Sequence, residues 1–550
     1  MKKTILILTT ILLTFTSFSQ APSWIWAKTS GGNNYDEGRA IAKDASGNIY
    51  VTGKFLSASI TFGSTVLTNN GNYDLFIVKY DPSGNVIWAK NFGGTGDESS
   101  TCINIDVNGN IYIAGWFYSP SVVFGSTTIN ISASNNSTDL FIAKLDASGN
   151  VIWAKSAGGT IGEDISGITT DVSGNVYVTG GFDSPSLSFG TFTLTSGGAG
   201  HQVFFIAKYD SSGNAIWGKK AGGISTDVGS GITTDGSGNI LVTGYFHSST
   251  ITFDAITLTC GGFYNSFTVK YDNSGNVIWA KKSGGAGDDK AFKVCTDANS
   301  NVYVAGTFTS ATGLFGNTTL TNASSAGNTG DLFLIKYDSS GNAIWAKSAG
   351  NTSNDFGINL NLDPNGNVYV IGWFSSNTID FGTTTLTKTG PDDLFIAKYN
   401  ASGNALWAKN AGCSNYMDGN DILINAQGEV YITGAFYCDT LDLGSITLPN
   451  ASNNTRSDIL TAKLTSTLGL DEIDSDKQVT IYPNPFTMQT TIVFEEQQTN
   501  RILKITDISG KEIRTIDFTG KEFVLEKGSM QSGIYFVEIG NEISKKIVIE

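Results

Sequence analysis

Six acidic residues recur at one place in a repeat, each five positions before a core aliphatic residue: Asp36, Glu98, Glu163, Asp227, Asp289 and Asp355, with Asp418 displaced by one. A ring of carboxylates is the donor set a hard cation such as calcium takes, because such ions collect several oxygen ligands. The same carboxylate, closing a GGxxxD turn, can instead cap its own loop or bond backbone of the neighbouring sheet. Strict repetition favours the cap, so no cofactor is expected. A second column breaks the repeat. After the glycine of each second strand stand Lys54, Trp116, Gly181, Tyr245, Thr307, Trp373 and Ala435. Trp116, Tyr245 and Trp373 thus offer flat faces in alternate repeats, suited to stacking a sugar ring or, more plainly, to packing between sheets.

Catalytic chemistry finds few candidates. The two histidines, His201 and His247, occupy non-equivalent positions without the spacing of a nucleophile's base or a metal ligand. Carboxylates such as Asp97 and Glu98 lack a partner that would complete an acid and base pair. The turn DxSGNxIW looks superficially like the Asp-box of propeller sialidases. Its Gly and Trp stand one place too far out, and only Arg39 and Arg456 precede the tail, which falls short of an arginine triad. No enzyme is expected. The lysine series Lys79, Lys144, Lys208, Lys270, Lys336, Lys398 and Lys463, like that from Lys28 to Lys409, reads as pairing with the turn aspartates, with stems laid on apolar neighbours.

Five cysteines are too few for a disulfide scaffold, and their odd number leaves at least one unpaired within the chain. Cys413 replaces the second glycine of the loop entering the last repeat, and Cys438 ends the second strand of that repeat. Both fall on the same face, so a disulfide between them is expected to staple the last repeat. Cys102 and Cys295 lie inside first strands and read as inert core residues.

The elements that position these residues follow from a period. Trp26, Trp88, Trp153, Trp217, Trp279, Trp345 and Trp407 stand 62 to 66 residues apart, the mark of supersecondary units that bury their faces only by stacking. The first repeat predicts strand A at Arg39 to Asp44, strand B at Ile49 to Phe55, an excursion through Phe62-Gly63, strand C at Asp74 to Asp81 and strand D at Val86 to Lys90. DxSGN turns join A to B and C to D, since Asp bonds backbone two residues on while Gly and Asn accept positive φ. Strands A, B and C occur seven times, the last set at Ile422 to Asn425, Val430 to Phe436 and Ile459 to Leu464, but no strand D follows it. The missing one stands ahead of the first repeat, at Trp24 to Lys28. A repeat split between the two ends predicts a ring, here a seven-bladed β-propeller over residues 20–466 closed by the N-terminal strand. With both turns of every repeat on one face, binding is expected on the other, among long loops such as Ser119 to Thr138 and Ala311 to Gly330.

GNxYVxGxF followed by DLFIxKYDxSGNxIWAK resembles the bacterial seven-bladed propeller repeat called SBBP, which implies a fold and an extracytoplasmic place without a general activity. A linker at 467–477 leads to residues 478–550, whose short alternating strands predict a small β-sandwich, making the whole chain all-β. There YPNPF, the DISGK turn, the GIYFVEI strand and the basic-apolar end resemble the type A C-terminal sorting domain of the type IX secretion system. That resemblance implies the secretion machinery as a partner and a secreted or outer-surface address. Residues 1–19 read as a signal peptide, with Lys2 and Lys3 before an apolar stretch.

With 40% hydrophobic residues the 550-residue chain can bury a large core, and a net charge of -15 without a basic cluster argues against nucleic acid. No segment has the ~20 apolar residues of a transmembrane anchor. The expected function is a non-enzymatic binding or adhesion protein whose partner is an extracellular polysaccharide or protein. The alternatives are a secreted glycan hydrolase or lyase, or a structural surface component.

Overall fold

The computed structural model describes residues 21–133, 137–196, 200–324, 328–382, 384–452, 456–466, 479–507, 511–539 and 543–549. The signal peptide and linker lie outside them. The chain divides into two compact units, Met1–Thr467 and Leu468–Glu550, and every regular element described is a β-strand.

In the first unit the repeats form antiparallel sheets in the order A-B-C-D. In the first sheet strand A is Asp36–Lys43, B is Ile49–Phe55, C is Asp74–Tyr80 and D is Val86–Phe92. Strand A thus begins three residues before its expected start, and the acidic series falls on its first residue. Each A-to-B and C-to-D turn closes as its composition dictates. Asp44 Oδ1 accepts from the backbone of Ser46 and Asn48, while Gly47 sits at φ 80°, a conformation glycine reaches without steric cost. Strands B and C are buried along their length, as sheets stacked between sheets require.

Among the described residues seven such sheets occur, and the last takes its strand D from the other end of the chain. Trp24–Ser30 pairs antiparallel with Asp458–Leu464, giving the order Trp24–Ser30, Asp458–Leu464, Val430–Phe436, Met417–Ile424. First and last sheets also share one apolar cluster, in which Trp26, Tyr431 and Ile459 pack with Ile41, Phe55 and Phe76. The inner strands meet as well: Ile41 N–H donates to Asp421 Oδ2 at 2.9 Å and Asn420 Nδ2 to the Gly38 carbonyl at 2.8 Å.

One element escaped the sequence reading. The excursions between strands B and C, expected as long loops, fold into two-stranded hairpins, Ser59–Phe62 with Thr65–Thr68 in the first repeat. Ser119 to Thr138 and Ala311 to Gly330 contain the equivalent pairs Ser121–Phe124 with Thr127–Asn130 and Thr312–Phe315 with Thr318–Thr321. Their physical cause is an anchor: Phe62, Phe124, Phe189, Phe253, Phe315 and Phe381 are buried and sit 4.7 to 5.6 Å from a strand C phenylalanine. Most of each supposed loop is therefore packed beside strand D.

The second unit is built of five strands. Its strands form one sheet in the order Val479–Tyr482, Gln489–Asp507, Gly533–Ile539, Ile543–Ile549, with Glu512–Glu526 also paired to Gln489–Asp507. The register of that long pair slips after Val493 and again before Arg501. An isolated parallel bridge joins Phe486 to Ile549. These strands enclose Phe486, Ile492, Phe494, Leu503, Leu525, Val537 and Ile547.

Candidate functional site at the loop end of the inner strands

The acidic series acts as a set of latches. In the first repeat Asp36 accepts from Gly32 N–H at 2.9 Å, from Leu56 and Ser57 N–H at 3.0 and 3.1 Å, and from the Ser57 hydroxyl at 2.6 Å. The loop leaving strand D is thereby tied to the exit of strand B. Glu98, Glu163, Asp227, Asp289 and Asp355 repeat the arrangement with Ser119, Ser184, Ser248, Ser310 and Ser376. Burial pushes Asp36 up to about 6 and Glu163 to about 7, against the hydrogen bonds that favour their charged forms. The carboxylates are occupied by protein donors. Among the described residues no cluster of three or more acidic, histidine or cysteine side chains has the geometry of a metal site.

The seventh inner strand begins on Met417, and Asp418 follows without taking the latch position. There Cys413 occupies the place of Gly32 and Cys438 that of Ser57, and the two are joined as a disulfide with Cα atoms 6.1 Å apart. A covalent bond stands where the other repeats use a carboxylate.

Strand C adds a second buried acid at several junctions. Asp74, Asp139, Asp331 and Asp458 each keep Oδ1 without a hydrogen bond. Burial raises Asp331 to about 7 and Asp458 to about 6, with Asp355 and Asp36 respectively adding repulsion. At the fourth junction Asn265 holds the equivalent place, and at the third Val203.

The irregular column has no ring contact joining its three aromatic members among the described residues. Trp373 packs at a tilt against Phe356, ring centroids 4.5 Å apart, and Trp116 pairs in register with Ser99 and Leu140. Tyr245 belongs to a larger group: Tyr264 lies 5.4 Å away, His247 is 4.9 Å from Tyr264, and Phe263, 57% exposed, is 4.7 Å from His247. Lys290 lies over Tyr245 and Tyr264 at 5.2 and 4.2 Å. His247 is thus a member of an aromatic platform, with Nδ1 2.9 Å from the Ser225 hydroxyl. Strand C lysines such as Lys79 and Lys398 lie over strand B tyrosines, and Lys270 reaches the turn carboxylate Asp235 of its own sheet at 2.8 Å and the Ser339 carbonyl of the next sheet at 3.1 Å.

The feature missed from sequence is a cavity of about 420 Å3 between the inner strands. Every strand A bulges after its third residue, at Arg39, Thr101, Ser166, Ser230, Phe292, Ile358 and Asn420 or beside them. A bulge re-aims side chains, and these positions with their neighbours line the space. The scaffold repeats while this lining does not, and that mismatch was the available signal. Burial lifts Asp164 to about 6, opposed by Arg39. Burial by itself would depress Lys293, but Asp421 together with Cys295 and Cys102 outweighs it and holds the ammonium above its ordinary range. Cys102 lines the same space, and burial pushes its thiol to about 12 and that of Cys295 to about 11, which keeps both protonated.

Residues 480–550 match the family described as secretion system C-terminal sorting domain. This unit is a type IX sorting tail, so the chain is exported to the cell surface or secreted, and the tail implies the secretion machinery as a partner. The chain is also 25% identical over 499 residues to an uncharacterized WD repeat-containing protein of Acanthamoeba polyphaga mimivirus, covering 75% of this chain and 36% of that protein. The chain thus spans about a third of that relative's length. Among solved structures, the Pan2 WD40 domain of Neurospora crassa aligns with 8% identity and TM-score 0.37, covering 82% of this chain and 99% of that one. PorZ of Porphyromonas gingivalis, a surface component of the type IX secretion system, aligns with 10% identity and TM-score 0.21, covering 95% and 100%. The strand pairing, rather than these likenesses, defines the propeller-like array. Among the described residues no helix is long and apolar enough to cross a membrane.

Proposed function

We propose that the chain is an SBBP-type, seven-bladed β-propeller closed by its N-terminal strand, exported by the type IX system, that acts without catalysis as an extracellular binding or adhesion protein. The observation that carries this reading is the contrast between a repeated scaffold and a non-repeated column at the loop end of strand B. Trp116, Tyr245 and Trp373 are partly buried there among Lys54, Gly181, Thr307 and Ala435. Flat rings held by a rigid sheet suit the apolar faces of sugars, so an extracellular polysaccharide is the favoured partner and a protein the second. A glycan array probed with the full chain tests it. Binding should fall at least about tenfold, about 1.4 kcal/mol, in Trp116→Ala and Trp373→Ala while the melting curves stay unchanged. A blank array, or variants that lose their fold instead, removes the reading. A turnover assay on any hit separates it from a hydrolase or lyase.

A further inference from the structure

The lining of the central cavity identifies its own complement through the groups the protein leaves unpaired. Arg39 pairs Nη2 with Glu37 Oε2 at 2.5 Å, but its buried Nε has no hydrogen bond. Asn359 donates to the Asn420 carbonyl at 3.4 Å, and its buried Oδ1 accepts nothing. Lys293 makes no hydrogen bond among the described residues, and its counter-charge is Asp421. The acids of the cavity differ. Asp421 accepts Ile41 N–H at 2.9 Å and Ile422 N–H at 2.8 Å, and Asp164 accepts from the backbone of Ile165. The groups left to bind are two cationic donors and one neutral acceptor, contributed by three different inner strands. A buried polar group without a partner costs about 1–3 kcal/mol, so the Arg39 Nε and Asn359 Oδ1 at one cavity are a standing drive for a ligand that completes them.

We propose that this cavity binds a carboxylate carried next to a hydroxyl, as in a uronic acid at a glycan end or a small hydroxy acid. The carboxylate takes the hydrogen bonds of Lys293 and the Arg39 Nε, and the hydroxyl donates to Asn359 Oδ1. At about 420 Å3 the space falls within the range of about 300–1,000 Å3 common for small-ligand sites. The acidic surface does not oppose this, because charges beyond about 8 Å are largely screened at physiological salt, and inside the cavity Asp164 and Asp421 accept backbone N–H groups that the two cations do not use. The site is independent of Trp116 and Trp373, neither of which lines it.

Calorimetric titration of the full chain with galacturonate, galactose and lactate tests it. Galacturonate should bind at least about tenfold more tightly than galactose. Lactate equal to galacturonate assigns the site to free hydroxy acids, and weaker lactate assigns it to sugar acids, both upholding the carboxylate. Lys293→Met should lose that binding. Should this variant misfold because Asp421 loses its counter-charge, Asn359→Asp, which keeps the shape and repels a carboxylate, should lose it with an unchanged melting curve. Galactose binding as tightly as galacturonate, no heat from any of the three, or Asn359→Asp binding like the parent overturns the proposal. A blank glycan array with intact galacturonate binding defeats only the stacking role of the tryptophans.

Discussion

Six inner strands begin on a buried carboxylate that ties the incoming loop to the end of strand B, and the seventh begins on Met417 with a disulfide across the same gap. The difference teaches that the junction needs a tie and not a charge. It also shows where the tie must be strongest. The seventh sheet alone takes a strand from the far end of the chain, Trp24–Ser30, and ordering that strand carries the largest loop-closure entropy. A cross-link there restrains the unfolded chain, and an exported protein meets the oxidising surroundings that keep such a bond.

The largest effect should come from breaking that tie. Cys413→Ser with Cys438→Ser should cost about 2–4 kcal/mol in denaturant unfolding. The equivalence is sharpened by transplanting the other latch: Cys413→Gly, Met417→Asp and Cys438→Ser together should recover much of the loss. A triple variant no more stable than the double would show that the two devices are not interchangeable. Next in size, Asp227→Ala removes the acceptor of the Ser248 N–H and hydroxyl and a shared acceptor of the Gly223 and His247 N–H groups and should cost about 1–3 kcal/mol. Asp418→Ala, which removes an acid outside any latch, should cost far less.

A smaller effect separates junctions with two acids from those with one. The folded values of Asp331 and Glu163 near 7, and of Asp36 and Asp458 near 6, lie above the unfolded value of about 4. Their contribution is therefore complete below about pH 4 and is lost as the pH rises through about 6 to 7. The melting temperature should fall between pH 5 and 8. Asp331→Asn, which copies the natural Asn265, should flatten that fall and gain stability at pH 8 with little change at pH 5. Equal slopes in parent and variant would exclude Asp331 as a source.

The repeat and its strands were legible because turn chemistry and tryptophan spacing are local. Strand B was expected at Ile49 to Phe55 and lies there, while strand A starts earlier because Asp36 is held in the sheet by partners distant in sequence. The hairpins were hidden by reading Phe62-Gly63 as a loop, although alternation from Ser59 to Phe62 was present. The latch reading of the acids needed only their regularity. The cavity needed the bulge, beside which Lys293, Asn359 and Arg39 line one space, and a bulge leaves no mark in composition. The tail's motifs gave its family, while the slipped register of its long strands depends on pairing.

The smallest expected effect is none. Six carboxylates at one level of the array would attract a cation if their oxygens were free, but the latches fill them with N–H and hydroxyl donors. A cation at about a hundred times its Kd would add about 2.7 kcal/mol to stability. Chelator should consequently leave the melting temperature unchanged in the parent. A drop reversed by calcium would mean that the acids share an ion and that the disulfide replaces a metal ligand set, which would reverse the comparison between the seventh junction and the other six.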